Sequence, residues 1–112
     1  MIRWLRPCLR WYPFAYGKGW LANKLLPDSA IPDGLVVRTK DSIRVEIHPD
    51  WMYKHIYLYG EYEPVNAAVF KRIVRSGDVC FDVGANFGYY SCLLARCGAR
   101  VYGFEPLPRC AP

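Results

Sequence analysis

The residues best suited to chemistry are two carboxylates, an amide and two glycines in the second half of the chain. They are Asp82, Gly84, Asn86, Gly88 and Glu105. A carboxylate has two acceptor oxygens and can take a hydrogen bond from each hydroxyl of a ribose diol. Glycine, which has no Cβ, lets the backbone approach a ligand closely. Glu105 follows Gly84 by about 20 positions, a spacing typical of nucleotide-binding units.

Two apolar runs with a predicted helix between them are expected to place these residues in the fold. Val79–Val83 is predicted to be a strand buried on both faces, as in a parallel sheet. Residues 89–97 have the apolar spacing of a helix, and residues 101–104 form a second predicted buried strand. Ligands of such sheets bind outside the carboxyl ends of the strands, where Asp82 and Glu105 are expected to lie.

The glycine spacing bears on which nucleotide is bound. A dinucleotide fingerprint has the spacing G-x-G-x-x-G, and its second and third glycine positions are occupied here by Asn86 and Tyr89. The phosphate-binding pattern G-x-x-x-x-G-K-[ST] does not occur in the sequence. Pyrophosphate binding is therefore disfavoured, and an NAD-dependent enzyme is a distant alternative.

Three separated motifs resemble one enzyme family. Residues 82–90 and 103–106, preceded by residues 59–64, are similar to the cofactor-binding core of the FkbM-type S-adenosylmethionine-dependent methyltransferases. The resemblance covers roughly residues 35–108. It implies an α/β fold of the Rossmann-like class I methyltransferase type, and transfer of a methyl group to a hydroxyl of a small molecule or sugar.

The resemblance also implies roles for individual residues. Asp82, Gly84, Asn86 and Gly88 would line the methionine and adenosyl side of S-adenosylmethionine, and Glu105 would hold the ribose hydroxyls. The catalytic base and the identity of the acceptor are not indicated by the sequence. No cluster of metal-ligand residues is visible, so no metal site is predicted.

Upstream of this core, the sequence predicts a β-hairpin and a helix. Residues 35–39 and 43–47 flank a short turn, and the second run alternates apolar and polar side chains. Residues 56–59 are predicted to be a third short strand. A helix is expected to begin at Pro64, after Glu61 and Glu63 at its positive end.

Composition divides the chain into two parts. Residues 1–34 form a basic, aromatic segment and linker. Residues 35–112 hold the hairpin and, as the resemblance implies, a partial methyltransferase domain with its β-α-β core at 64–106. The formal net charge of +5 owes much to the N-terminal segment. Contact of residues 1–26 with a membrane surface is an open alternative to a solvated basic face, and no nucleic-acid partner is expected.

Cysteine usage indicates a reducing compartment. The five cysteines form no C-x-x-C pair, so they suggest neither a zinc site nor a disulfide framework. Reduced thiols in a cytoplasmic protein are the simplest interpretation. No apolar run approaches the ~18 residues of a membrane-spanning helix.

The length of the predicted core raises the expectation of a fragment. The implied fold has a seven-stranded sheet, whereas the 112-residue chain supplies its first two parallel strands after a helical and β-hairpin extension. We therefore expect the cofactor-binding half of a longer enzyme, inactive by itself. Two other functions remain open at this stage, a non-catalytic nucleotide-binding or interaction module and a membrane-surface-associated protein. The oligomeric state is not indicated.

Overall fold

The fold combines short helices with two separate two-stranded sheets. The computed structural model describes residues 7–10 and 17–108, and residues 7–10 are helical. The helices are Lys18–Leu25 (α1), Lys54–Tyr59 (α2), Pro64–Ile73 (α3) and Tyr89–Arg96 (α4). The strands are Leu35–Arg38 (β1), Arg44–Ile47 (β2), Val79–Val83 (β3) and Arg100–Phe104 (β4), and single turns of 3-10 helix span Asp28–Ala30 and Trp51–Tyr53. None of these helices is long and apolar enough to cross a membrane.

The chain divides into two compact units, Met1–Tyr62 and Glu63–Pro112. The first holds the antiparallel pair β1–β2, and the second holds the parallel pair β3–β4. Composition predicts a boundary at residue 34, whereas the compact units divide after Tyr62. The β-α-β core predicted at residues 64–106 falls within the second unit. The basic residues Arg3 and Arg6 and the cysteine Cys110 lie outside the described residues.

The hairpin of the first unit has the two-sided pattern predicted for it. Strand β1 pairs with β2 in the register Leu35↔Ile47 to Arg38↔Arg44. Val45 and Ile47 are buried while Arg44 and Glu46 are exposed. Because successive side chains of a strand point to opposite faces, the alternation places one face of the hairpin in the core. The predicted orientation of the second strand is confirmed.

The prediction of a third strand at residues 56–59 is wrong, because this segment is the helix α2. All four of its side chains are buried, so it has no alternation to indicate a strand. The local capping residues explain the helix. Asp50 accepts a hydrogen bond from the Met52 amide at 3.0 Å and starts the turn before α2. Gly60, at φ 68°, ends the helix in the left-handed conformation.

An ionic cluster connects distant parts of the first unit. Lys18 Nζ lies 2.7 Å from Glu61 Oε2, and Lys40 contacts the other carboxylate oxygen. Burial by itself would raise the pKa of Glu61, but hydrogen bonds from Lys18 and Lys40 outweigh it and lower that pKa. Burial, followed by the charge of Lys18, lowers the pKa of His55. Glu61 therefore binds lysines instead of marking the start of α3.

The second unit contains the predicted strand–helix–strand arrangement. Strands β3 and β4 are parallel, in the register Val79↔Arg100 to Val83↔Phe104. The helix predicted at residues 89–97 is α4, which packs against both strands and buries Leu93 and Leu94.

The prediction that these strands are buried on both faces is wrong. Side chains on the face opposite α4 are between 46% and 82% exposed, and they belong to Val79, Phe81, Val83, Tyr102 and Phe104. Two-sided burial needs a layer of cover on each face, and α4 supplies one of them. The aromatic rings on the open face stack on one another, with Phe81 5.5 Å from Tyr102 and 6.3 Å from Phe104 between centroids.

Two left-handed glycines in the second unit provide a matched test of packing. Gly77 (φ 92°) and Gly98 (φ 89°) are joined by a backbone hydrogen bond of 2.9 Å. A Cβ on Gly98 would lie 2.9 Å from Ser76 Cβ, whereas a Cβ on Gly77 meets nothing within 4 Å. Gly77→Ala should lower the free energy of unfolding by about 1–2 kcal/mol through backbone strain alone.

Gly98→Ala should cost about 1–3 kcal/mol more than Gly77→Ala, because the added methyl group also displaces Ser76. Urea unfolding followed by circular dichroism measures both, since residues 63–112 contain no tryptophan. Equal losses for the two variants would contradict the close approach of Gly98 to Ser76.

Acidification should destabilise the first unit in two stages. A lowered pKa in the folded state means that the unfolded state binds more protons, so stability is lost as pH falls. The loss begins below the ordinary value of 6.5 for His55 and continues below the ordinary value of 4.5 for Glu61. All four tryptophans precede residue 52, so their fluorescence during urea unfolding follows this unit. His55→Gln should remove the first stage, and an unchanged pH profile would contradict this assignment.

Candidate functional site

The loop between β3 and α4 is built on three left-handed residues. They are Gly84 (φ 80°), Asn86 (φ 51°) and Gly88 (φ 75°). Residues with a Cβ rarely adopt this conformation, and asparagine is among those that tolerate it best. The two glycines and Asn86 at alternate positions thus give the loop its path from strand to helix. The tolerance of Asn86 for an unusual backbone angle, expected from its type, is confirmed.

Backbone hydrogen bonds fix this loop against the end of the neighbouring strand. The amides of Gly84 and Ala85 both donate to the carbonyl oxygen of Phe104, at 2.8 and 3.0 Å. The amide of Gly88 donates to the Ala85 carbonyl at 2.8 Å and closes a turn before α4. The loop is therefore held by β4 as well as by its own strand.

Glu105 lies immediately beyond β4 and binds the same loop through its side chain. Its Oε2 accepts a hydrogen bond from the Asn86 amide at 2.7 Å, and its Oε1 accepts one from the Leu107 amide at 2.8 Å. Each carboxylate oxygen has two lone-pair sites. One backbone donor on each oxygen fixes the carboxylate and leaves capacity for a further donor on each.

Asp82 is oriented differently, toward the helix that covers the sheet. Its Oδ2 accepts a hydrogen bond of 2.6 Å from the Ser91 hydroxyl on α4. Across the sheet, its register partner is Gly103 on β4. Sequence reasoning missed Ser91. A polar side chain in the first turn of an otherwise apolar helix, three residues after Gly88, is the pattern that could have indicated it.

The structure brings four of the five predicted site residues into one hydrogen-bonded loop assembly. Asn86 contacts Glu105 directly, Gly84 binds the residue before Glu105, and Gly88 binds within the loop. Asp82 adjoins this assembly along β3, and its side chain accepts a hydrogen bond from Ser91. Their common place at the carboxyl ends of two parallel strands agrees with the expected arrangement. Their role in binding a cofactor stays a prediction.

A second polar contact joins α3 to α4 near the loop. Glu63, in the left-handed conformation at φ 41°, accepts hydrogen bonds from the Tyr90 hydroxyl and from Asn66 Nδ2. The Tyr90 ring also meets Phe70 edge-on, with 5.2 Å between centroids. Tyr89 is 2% exposed. Tyr90 therefore packs between α3 and α4, and Tyr89 is buried beside it.

Metal-ligand residues and cysteines form no metal-binding cluster or disulfide among the described residues. Residues 7–10 and 17–108 contain no group of three or more His, Cys, Asp or Glu side chains arranged to hold a metal ion. Cys8, Cys80, Cys92 and Cys97 are free thiols.

Removing the Glu105 carboxylate should loosen the loop. Glu105→Ala deprives the Asn86 and Leu107 amides of their acceptor, so their hydrogen exchange should accelerate by at least about tenfold. Glu105→Gln, which keeps one acceptor oxygen, should give a smaller effect. Unchanged exchange of the Cys80 and Tyr102 amides, which face the partner strand in the parallel register, verifies that the sheet persists. Equal protection of the Asn86 amide from exchange with and without the carboxylate would contradict its hydrogen bond to Glu105.

Comparison with known proteins gives no family assignment. The chain matches no protein-family model, no curated protein and no solved structure. The features that bear on function are the loop, its two carboxylates and the motifs at residues 59–64, 82–90 and 103–106.

Proposed function

We propose that the second unit binds S-adenosylmethionine and that the protein functions as an S-adenosylmethionine-dependent methyltransferase of the FkbM type. The acceptor is a hydroxyl on a small molecule or sugar. The observation that carries the proposal is the Glu105 carboxylate, fixed at the carboxyl end of β4 against the Asn86 amide. The strand–loop–helix–strand arrangement is compatible with the first part of a Rossmann-like class I methyltransferase.

The geometry of Glu105 suits a ribose diol. Two backbone amides hold its carboxylate, one on each oxygen, so the group is oriented before any ligand arrives. A vicinal diol presents two hydroxyl donors side by side, and each oxygen of the carboxylate can accept one of them. Because the carboxylate is already oriented, little entropy is lost in ordering it on binding.

The loop amides favour S-adenosylmethionine over a dinucleotide. Binding of a pyrophosphate relies on backbone amides that point at its oxygens. Here the amides of Gly84, Ala85, Asn86 and Gly88 all donate to acceptors within the protein. The loop is therefore poorly suited to cradle phosphate groups, and S-adenosylmethionine contains none.

The charges of the site also suit this cofactor. S-adenosylmethionine has an ammonium group and a sulfonium centre, and Asp82 is a carboxylate beside the same loop. When bound, the cofactor would supply an electrophilic methyl group for an acceptor hydroxyl, whose proton would be lost to solvent as the carbon–sulfur bond broke and S-adenosylhomocysteine was left. The residues assigned here bind and orient the cofactor, and accurate orientation contributes much to the rate of in-line transfer.

A calorimetric titration tests cofactor binding. The 112-residue chain should bind S-adenosylhomocysteine and should bind NAD more weakly or not at all. Glu105→Ala should weaken S-adenosylhomocysteine binding by at least about 100-fold, because two hydrogen bonds to a charged group are lost. Glu46→Ala removes an exposed carboxylate from β2 and should leave binding unchanged. Tighter binding of NAD, or no binding of S-adenosylhomocysteine, would refute the proposal.

Transfer of a labelled methyl group separates the enzyme from a binding module. The chain is incubated with labelled S-adenosylmethionine and hydroxyl-bearing acceptors, and formation of a labelled methyl ether would exclude the non-catalytic binding module. Cofactor binding without transfer is expected of that module and equally of a cofactor-binding half that is inactive by itself.

A further inference from the structure

We propose that Ser91 is a positioning residue that orients the Asp82 carboxylate toward the amino-acid end of S-adenosylmethionine. The inference depends on the proposed cofactor and adds a residue that the sequence motifs did not single out. It rests on three neighbouring residues of the second unit. They are Asp82 on β3, Ser91 on α4 and Gly103 on β4.

The hydrogen bond between Ser91 and Asp82 restricts the carboxylate. The Ser91 hydroxyl donates to Asp82 Oδ2 at 2.6 Å, a length typical of a hydroxyl bound to a charged oxygen. With Oδ2 occupied by this donor, rotation of the carboxylate would break the bond. Oδ1 is then the oxygen available to accept a hydrogen bond from a ligand's ammonium group.

Gly103 makes room for this contact. Gly103 is the register partner of Asp82, so the two lie side by side across the parallel strands. A Cβ on Gly103 would come within 3.1 Å of Ser91 Oγ and 3.5 Å of Ala85 Cβ. The first of these distances is too short for comfortable packing. The absence of a side chain at Gly103 therefore lets the Ser91 hydroxyl sit above the strand pair and reach Asp82.

The same packing connects Asp82 to the loop. Ala85, which lies near Gly103, donates its amide to the Phe104 carbonyl beside Glu105. Ser91 and Ala85 thus both border Gly103. Ser91 is hydrogen-bonded to Asp82, and Ala85 is hydrogen-bonded to β4. A purely structural role for Ser91 would affect every ligand of the loop. A positioning role confined to Asp82 would affect only ligands with an amino-acid group.

Two ligands that differ in this group test the proposal by calorimetry. S-adenosylhomocysteine has the amino-acid end, whereas 5′-methylthioadenosine keeps the adenosine and the sulfur and lacks it. Ser91→Ala should weaken binding of S-adenosylhomocysteine by about tenfold and leave binding of 5′-methylthioadenosine unchanged. Ser91→Thr, which restores a hydroxyl, should recover most of the loss. Ser76→Ala, the same change outside the site, should alter neither affinity.

Gly103→Ala reaches the same contact from the opposite strand. Its methyl group should displace the Ser91 hydroxyl and weaken S-adenosylhomocysteine binding selectively, as Ser91→Ala does. Combining the two substitutions relieves the crowding, so the double variant should be more thermally stable than Gly103→Ala alone. Its affinity for S-adenosylhomocysteine should nonetheless remain at the level of Ser91→Ala.

The outcomes separate the inference from the function on which it depends. Equal weakening of both ligands by a folded Ser91→Ala variant, or no weakening of either, would overturn the role of Ser91 and leave the cofactor assignment standing. If the unaltered chain binds neither ligand, the proposed function itself fails. Thermal unfolding of each variant establishes that a loss of affinity is measured on folded protein.

Discussion

The hydrogen bond from the Asn86 amide to Glu105 is the contact on which the candidate site depends. It joins the loop after one parallel strand to the residue after the next, at 2.7 Å. Without it, the left-handed loop and the carboxylate would be separate features of neighbouring strands. With it, the left-handed backbone and the negative charge are brought together at one edge of the sheet.

The parallel strands next to this edge are covered by a helix on one face and exposed on the other. Helix α4 packs on the side of Asp82, and the other side presents Phe81, Tyr102 and Phe104 to solvent. An apolar surface of this kind is costly to leave in water. Asp82 lies on the packed side, where Ser91 of the helix binds it, and Glu105 lies at the end of a strand, where backbone amides bind it.

The features that could be predicted from the sequence are those determined by residues close together along the chain. The strand–loop–helix–strand order follows from apolar runs, left-handed glycines and Asn86, all of which act within a few residues. The hairpin orientation follows from the alternation in β2. The helix α2 could not be predicted from its aromatic and β-branched residues, because burial on all sides outweighed their strand propensity. The open face and the Ser91–Asp82 bond depend on which elements pack together, which a single sequence does not specify.

A nuclear magnetic resonance titration of the 15N-labelled chain with S-adenosylhomocysteine tests whether Glu105 lies at the binding site. We expect the amide resonances of Asn86 and Leu107, the two donors to Glu105, to shift together and to saturate at one equivalent of ligand. A titration in which both resonances stay in place while S-adenosylhomocysteine binds would show that the cofactor is held elsewhere, and would contradict the assignment of Glu105.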